Sequence, residues 1–219
     1  MNAKLKWALS GIFLALFAVL IIMIKKVDVE SIGPEGTKIG LSGINKPVAD
    51  NFTYNETWYK ITQYLGYAAL LVAACFAVMG LIQLIQRKNL LKVDANILAA
   101  GVLYVVTIVL YFLFDKVVIN YRPIILPDEG VLEAGFPSSH TMLSIVVFGS
   151  ALLQTGRYIK KKGVLIAVNV VLIQILVLTV VGRLISGAHW LTDICGGVLI
   201  SVALLFAYSA AANKFAAKQ

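Results

Sequence analysis

Cysteine, acidic residues and histidine are all scarce in this chain of 219 residues. Its two cysteines, Cys75 and Cys195, lie far apart inside apolar stretches. That excludes a disulfide framework and a thiolate zinc site, and both are expected to be buried and inert. The eleven Asp and Glu residues form no carboxylate cluster suited to a bivalent metal. Neither a metal nor any other cofactor is therefore expected. Charge of either sign is sparse, with 14% of residues charged against 60% hydrophobic. At a mean hydropathy of +0.88, a soluble domain of this length has no core large enough to hide its apolar surface.

Long apolar runs take the place of what is missing. The chain reads as an all-α integral membrane protein, a single membrane domain over 1–219. Six transmembrane helices are expected at about 7–24, 64–85, 97–114, 140–154, 164–185 and 191–211. The first run is read as a retained anchor, because Lys25 and Lys26 follow it where a signal peptide would carry a small-residue cleavage site.

The net charge of +8 comes from 19 basic residues set against those eleven acids. Position argues against nucleic-acid binding. Lys4, Lys6, Arg87, Lys88, Lys92, Arg157, Lys160, Lys161, Lys162, Lys214 and Lys218 fall between or beyond apolar runs, with Asp94 the one acid among them. This asymmetry predicts both termini on the cytoplasmic side, although Lys25 and Lys26 run against it. The outer segment 27–63 ends in Phe52, Tyr54, Trp58 and Tyr59, with Tyr64 next, and is expected to anchor at the headgroups.

Three polar patches interrupt the apolar chain: Arg122-Pro123, Pro137-Ser138-Ser139-His140, and Arg183 followed by His189 and Asp193. In the six-helix scheme all three fall at the outer face. His189 and Asp193 are spaced i, i+4, so on a helix a carboxylate would hold one ring nitrogen and leave the other as base or nucleophile. Ser138 and Ser139 open an apolar helix, where free backbone N–H groups favour an anion. The two arginines offer planar forks that grip phosphate oxygens. Taken together, the set suggests phosphoryl transfer without a metal.

These residues resemble the motifs of the type-2 phosphatidic acid phosphatase superfamily of membrane lipid phosphatases. The third motif matches in full spacing through Arg183, His189 and Asp193, and the second reads Pro137-Ser138-Ser139-His140. The resemblance implies His189 as a nucleophile forming a phosphohistidine, Asp193 holding it and His140 as general acid. It implies Arg122, Arg183 and Ser138 as phosphate ligands, with the backbone N–H groups of Ser139 and His140 completing the cradle. Three positions depart from the pattern. Gly182 replaces a serine, Ser139 replaces a glycine, and Asp115 stands where the family lysine is expected, with Lys116 one residue later. Lys116 is carried as a further phosphate ligand.

The leading expectation is hydrolysis of a lipid phosphate or pyrophosphate at the outer face of a cell membrane, of the bacterial plasma-membrane kind. Undecaprenyl pyrophosphate, phosphatidylglycerophosphate, phosphatidate and diacylglycerol pyrophosphate are the candidate substrates. A lipid-phosphate binding or translocating protein and a lipid phosphotransferase are the alternatives. The partners expected are the lipid substrate and the bilayer, with no nucleic acid.

Overall fold

The computed structural model describes residues 1–216; Lys218, counted above among the basic residues, lies outside them. In hydrocarbon every backbone polar group must find a partner within the segment, so apolar runs free of breakers become helices. Eight helices form among the described residues: α1 (Ala3–Lys26), α2 (Ser42–Asn51), α3 (Glu56–Arg87), α4 (Ala95–Lys116), α5 (Ser139–Leu152), α6 (Thr155–Tyr158), α7 (Lys162–Ile185) and α8 (Leu191–Ala216). Five of them, α1, α3, α4, α7 and α8, are long and apolar enough to cross a membrane.

The expected span at 140–154 is the exception. It is the 14-residue α5, short of the ~20 residues a bilayer needs. The chain breaks at Leu153-Gln154 and resumes as α6, whose Tyr158 hydroxyl accepts a hydrogen bond from Asn96 at 2.9 Å. Asn96 also donates to Gln154, so polar contacts at the start of α4 set the break. Ten residues of α5 are buried, from Thr141 to Ala151, because α3, α7 and α8 pack around it.

The segment 27–63 also differs from expectation. α3 starts at Glu56, two turns before the expected start at 64, because the Asn55 side chain accepts the Trp58 N–H at 3.0 Å and caps the helix. Trp58 and Tyr59 therefore belong to a helix that continues into the bundle. Upstream, α2 docks on α8 through the fully buried Asn45.

Contacts fix the helix directions. Lys6 donates to Ser209 Oγ at 2.7 Å, and Phe13 stacks on Phe206, so α1 runs antiparallel to α8. The Ser138 N–H donates to the Asp193 carbonyl at 3.0 Å, so α5 and α8 start side by side. Phe17, Phe136, Met142 and Val146 pack in the core between α1, α5 and α8. The outer faces of α3 and α7 stay apolar and exposed, as at Leu71, Val78, Ile166 and Val177. Cys75 on α3 and Cys195 on α8 are exposed, against the expectation of burial. The three polar patches gather at the end of the bundle where α3, α5 and α8 begin and α4 and α7 end.

Candidate active site

Arg122 sits in the connection between α4 and α5, which an isolated antiparallel bridge from Tyr121 to Ala134 closes on itself. The Arg122 N–H donates to the Glu133 carbonyl at 3.0 Å, and the Gly135 N–H to the Asn120 carbonyl at 2.8 Å. Trp190 Nε1 donates to the Tyr121 carbonyl at 2.8 Å, pinning this loop to the start of α8. Trp190 thus places Arg122 beside His189.

At the α8 N-terminus the Asp193 carboxylate reaches back to accept the Trp190 N–H at 3.0 Å. A carboxylate in the first turn is favoured by the free N–H groups there. The same Oδ2 lies 3.5 Å from His189 Nδ1, with both side chains buried. At that separation the contact is an electrostatic pairing and no aligned hydrogen bond is formed. On the ring's other side, His189 Nε2 lies 3.4 Å from Arg122 Nη1. A guanidinium only donates, so Nε2 accepts and the ring proton belongs on Nδ1, facing Asp193. Burial holds the His189 imidazole well below its ordinary 6.5, helped by the Arg122 and Arg183 cations and by His140. The ring is neutral at pH 7, with a lone pair on Nε2.

Arg183 is fully buried near the end of α7. Its Nη2 donates to Gln63 Oε1 at 2.9 Å and also meets His140 Nδ1. The guanidinium carbon lies 4.7 Å from the centre of the Tyr59 ring. Arg183 Nε and Nη1 have no protein partner. A buried cation with open N–H groups is an incomplete hydrogen-bond set that an anion would complete. Gly66 on α3 makes room for His140, since a Cβ there would come 2.9 Å from the ring's Cδ2.

His189, His140, Arg122 and Ser139 line one cavity of about 220 Å³. Tyr59, Gln63, Tyr111, Asp115, Glu129 and Glu133 also line it. A second, apolar cavity of about 320 Å³ adjoins it through Tyr111, Ser139, His140 and Met142. Ser138 is buried as the α5 cap, its Oγ accepting the Thr141 N–H at 3.5 Å.

The structure therefore brings His189, Asp193, His140, Arg122, Arg183, Ser138 and Ser139 together. It does not bring in Lys116, which ends α4 81% exposed and paired with Asp115 at 2.9 Å. Gly182 is also explained: a Cβ there would come 2.7 Å from Thr62 Cγ2 and 3.2 Å from the Trp58 ring. α3 fills the space a serine would need. Sequence reading missed Gln63, Tyr59, Asn45 and Gly135. The i, i+4 spacing of Tyr59 and Gln63 was the available signal. At Gly135 a Cβ would lie 2.7 Å from Asp193 Oδ2, which no local pattern reveals.

A bundle of long apolar helices with two histidines, two arginines and a buried aspartate converging at one end defines an integral membrane protein with a polar, histidine- and arginine-containing site. Residues 97–216 match the model of the PAP2 superfamily, and the chain belongs to that superfamily. Its fold is similar to the crystal structure of a transmembrane PAP2-type phosphatidylglycerolphosphate phosphatase from Bacillus subtilis. That match has a TM-score of 0.68 and 17% identity, over 94% of this chain and 96% of the other. No curated protein matches the sequence.

Proposed function

We propose that this chain is a membrane lipid phosphatase that works through a phosphohistidine on His189. The observation that carries the reading is the orientation of His189, with Nδ1 against the buried Asp193 and Nε2 toward Arg122 in a cavity shared with His140. Arg183 meets His140 Nδ1 through Nη2 and keeps its Nε and Nη1 hydrogens open.

In the first step the Nε2 lone pair attacks phosphorus and the bond from phosphorus to the lipid oxygen breaks. By drawing the Arg183 donor off His140 Nδ1, the incoming phosphate dianion favours a protonated His140, which gives its proton to the departing oxygen. Asp193 stabilises the positive charge that forms on His189. In the second step water attacks the phosphohistidine, His140 takes the water's proton, and inorganic phosphate leaves with His189 restored. Arg122 and Arg183 stabilise the charge on the equatorial oxygens in both steps.

A lipid substrate is supported by the adjoining cavity, lined by Gly66, Tyr67 and Leu70 of α3 and by Thr107 and Ile108 of α4. It would take the first part of an acyl or prenyl chain. The charge asymmetry supports a site on the outer face of the membrane with both termini inside.

The test is phosphate release from a panel of lipid phosphates in detergent with EDTA, with His189→Ala alongside. Release by the wild type and none by the variant is the expected result. A phosphorylated acceptor in place of free phosphate would make the protein a transferase, and no release by folded protein would make it a binding protein.

A further inference from the structure

Charge is unevenly distributed along the depth of the site cavity. At the floor, His189 is 3% and Arg122 9% exposed. The carboxylates are nearer the surface: the side chain of Asp115 is 45% exposed and that of Glu133 30%, and Glu129 is exposed as well. All three line the same cavity as His189, and Arg122 is the one Lys or Arg among its described lining residues. Even Arg122 is partly engaged, with Nε 3.0 Å from Glu133 Oε2 and Nη1 on His189. Lys116 does not compensate, because it points outward on Asp115. Arg183, whose open N–H groups belong to a fully buried side chain, is not among the described residues that line this cavity.

Asp115 follows Tyr111 by one helical turn on the same face of α4, and Tyr111 lines both the polar and the apolar cavity. The group that links the attacked phosphorus to the lipid chain therefore leaves the polar cavity past Tyr111, one helical turn from Asp115. In a phosphate monoester this link is one uncharged oxygen. In a diphosphate it is a second phosphate, which would meet carboxylates and find no open cation.

We propose that the site selects by charge: it accepts lipids whose single phosphate is the one attacked and discriminates against diphosphates, with Asp115 and Glu129 as specificity-determining residues and Glu133 as the counter-ion of Arg122. The inference rests on reading this cavity as a phosphate site, and it narrows the substrate class to lipid phosphate monoesters.

Two measurements on the full chain in detergent test it. The first compares kcat/KM for phosphatidate and diacylglycerol pyrophosphate of the same acyl composition, in the wild type, Glu129→Gln and Asp115→Asn/Glu129→Gln. The monophosphate is expected to lead by at least about tenfold, and the double variant to reduce that lead by a similar factor. Glu129→Gln, in a surface loop, is expected to reduce it in part and keeps the test open should the double variant misfold. The second compares binding of inorganic phosphate and inorganic pyrophosphate by calorimetry, without turnover. Phosphate is expected to bind more tightly, with the difference shrinking in the variants. Diphosphate preferred by the wild type in either measurement, or a preference the variants leave unchanged, overturns the proposal. Should neither lipid release phosphate while phosphate still outbinds pyrophosphate, the phosphatase reading falls and the charge selection stands.

Discussion

At His189, burial and two guanidinium neighbours act in the same direction, each disfavouring a charged ring. A histidine whose folded value is depressed contributes stability that is fully present above its unfolded value, near 6.5, and lost as pH falls through the folded value. Thermal unfolding in detergent should therefore show falling stability only below pH 6.5, and the acid limb of kcat/KM should lie there too. A limb above 6.5 would mean that His189 is charged in the resting site. Asp193→Asn makes a separate prediction. An amide can still accept the Trp190 N–H, so the fold should persist, but it no longer stabilises a positive imidazole. Turnover should fall by roughly 10³–10⁴-fold, with substrate binding far less affected. At this scale the i, i+4 spacing made His189 and Asp193 legible in the sequence. Gln63 was less so, because its i, i+4 spacing from Tyr59 gains a meaning only once Arg183 is placed beside both side chains.

The elements that hold the site are more than the long helices. α2 was legible only as part of a polar, aromatic-ended segment, since ten residues with no strong apolar stripe carry little helical signal. Its Asn45 nonetheless spans 147 positions to accept the Thr192 N–H at 3.1 Å and donate to Thr192 Oγ1 at 3.0 Å. It also donates to the Gly40 carbonyl at 2.9 Å. Thr192 is in the first turn of α8, beside Asp193, so α2 braces the turn that carries Asp193 and directly follows the proposed nucleophile. Asn45→Ala leaves a buried N–H and a buried carbonyl without partners and should cost about 1–3 kcal/mol of stability. Because the brace acts on the α8 turn, kcat should fall together with Tm, and Asn45→Asp, which keeps the acceptor for Thr192, should recover part of both. Full activity in a folded Asn45→Ala protein would show that the α8 turn holds its geometry without α2.

For the whole molecule, apolar length and charge together specify most of the architecture, and their failures have physical causes. Helix ends at Lys26, Lys116 and Ile185 fell within two residues of expectation, because hydrophobic length sets them directly. The expected fourth segment, 140–154, likewise forms as α5 within two residues of its expected ends, but at 14 residues it is shorter than a bilayer needs and stops where Asn96, 58 positions from Gln154 in the chain, donates to that side chain. Orientation in the membrane depends on charge alone, and Lys25 and Lys26 oppose it. Lys25 donates to the Val118 carbonyl at 3.1 Å, so its charge is committed to a contact within the protein at the site end of the bundle. That contact gives Lys25 a partner at the site end, where the remaining basic residues lie among ten of the eleven acids. Single cysteines at Lys38, near the site end, and at Lys88, at the far end, test the orientation after Cys75 and Cys195 are replaced by alanine. With a membrane-impermeant maleimide on intact cells, Lys38→Cys should be labelled and Lys88→Cys should react only after permeabilisation. The reverse pattern would put the site on the cytoplasmic face, where its lipid phosphate would have to come from the inner leaflet.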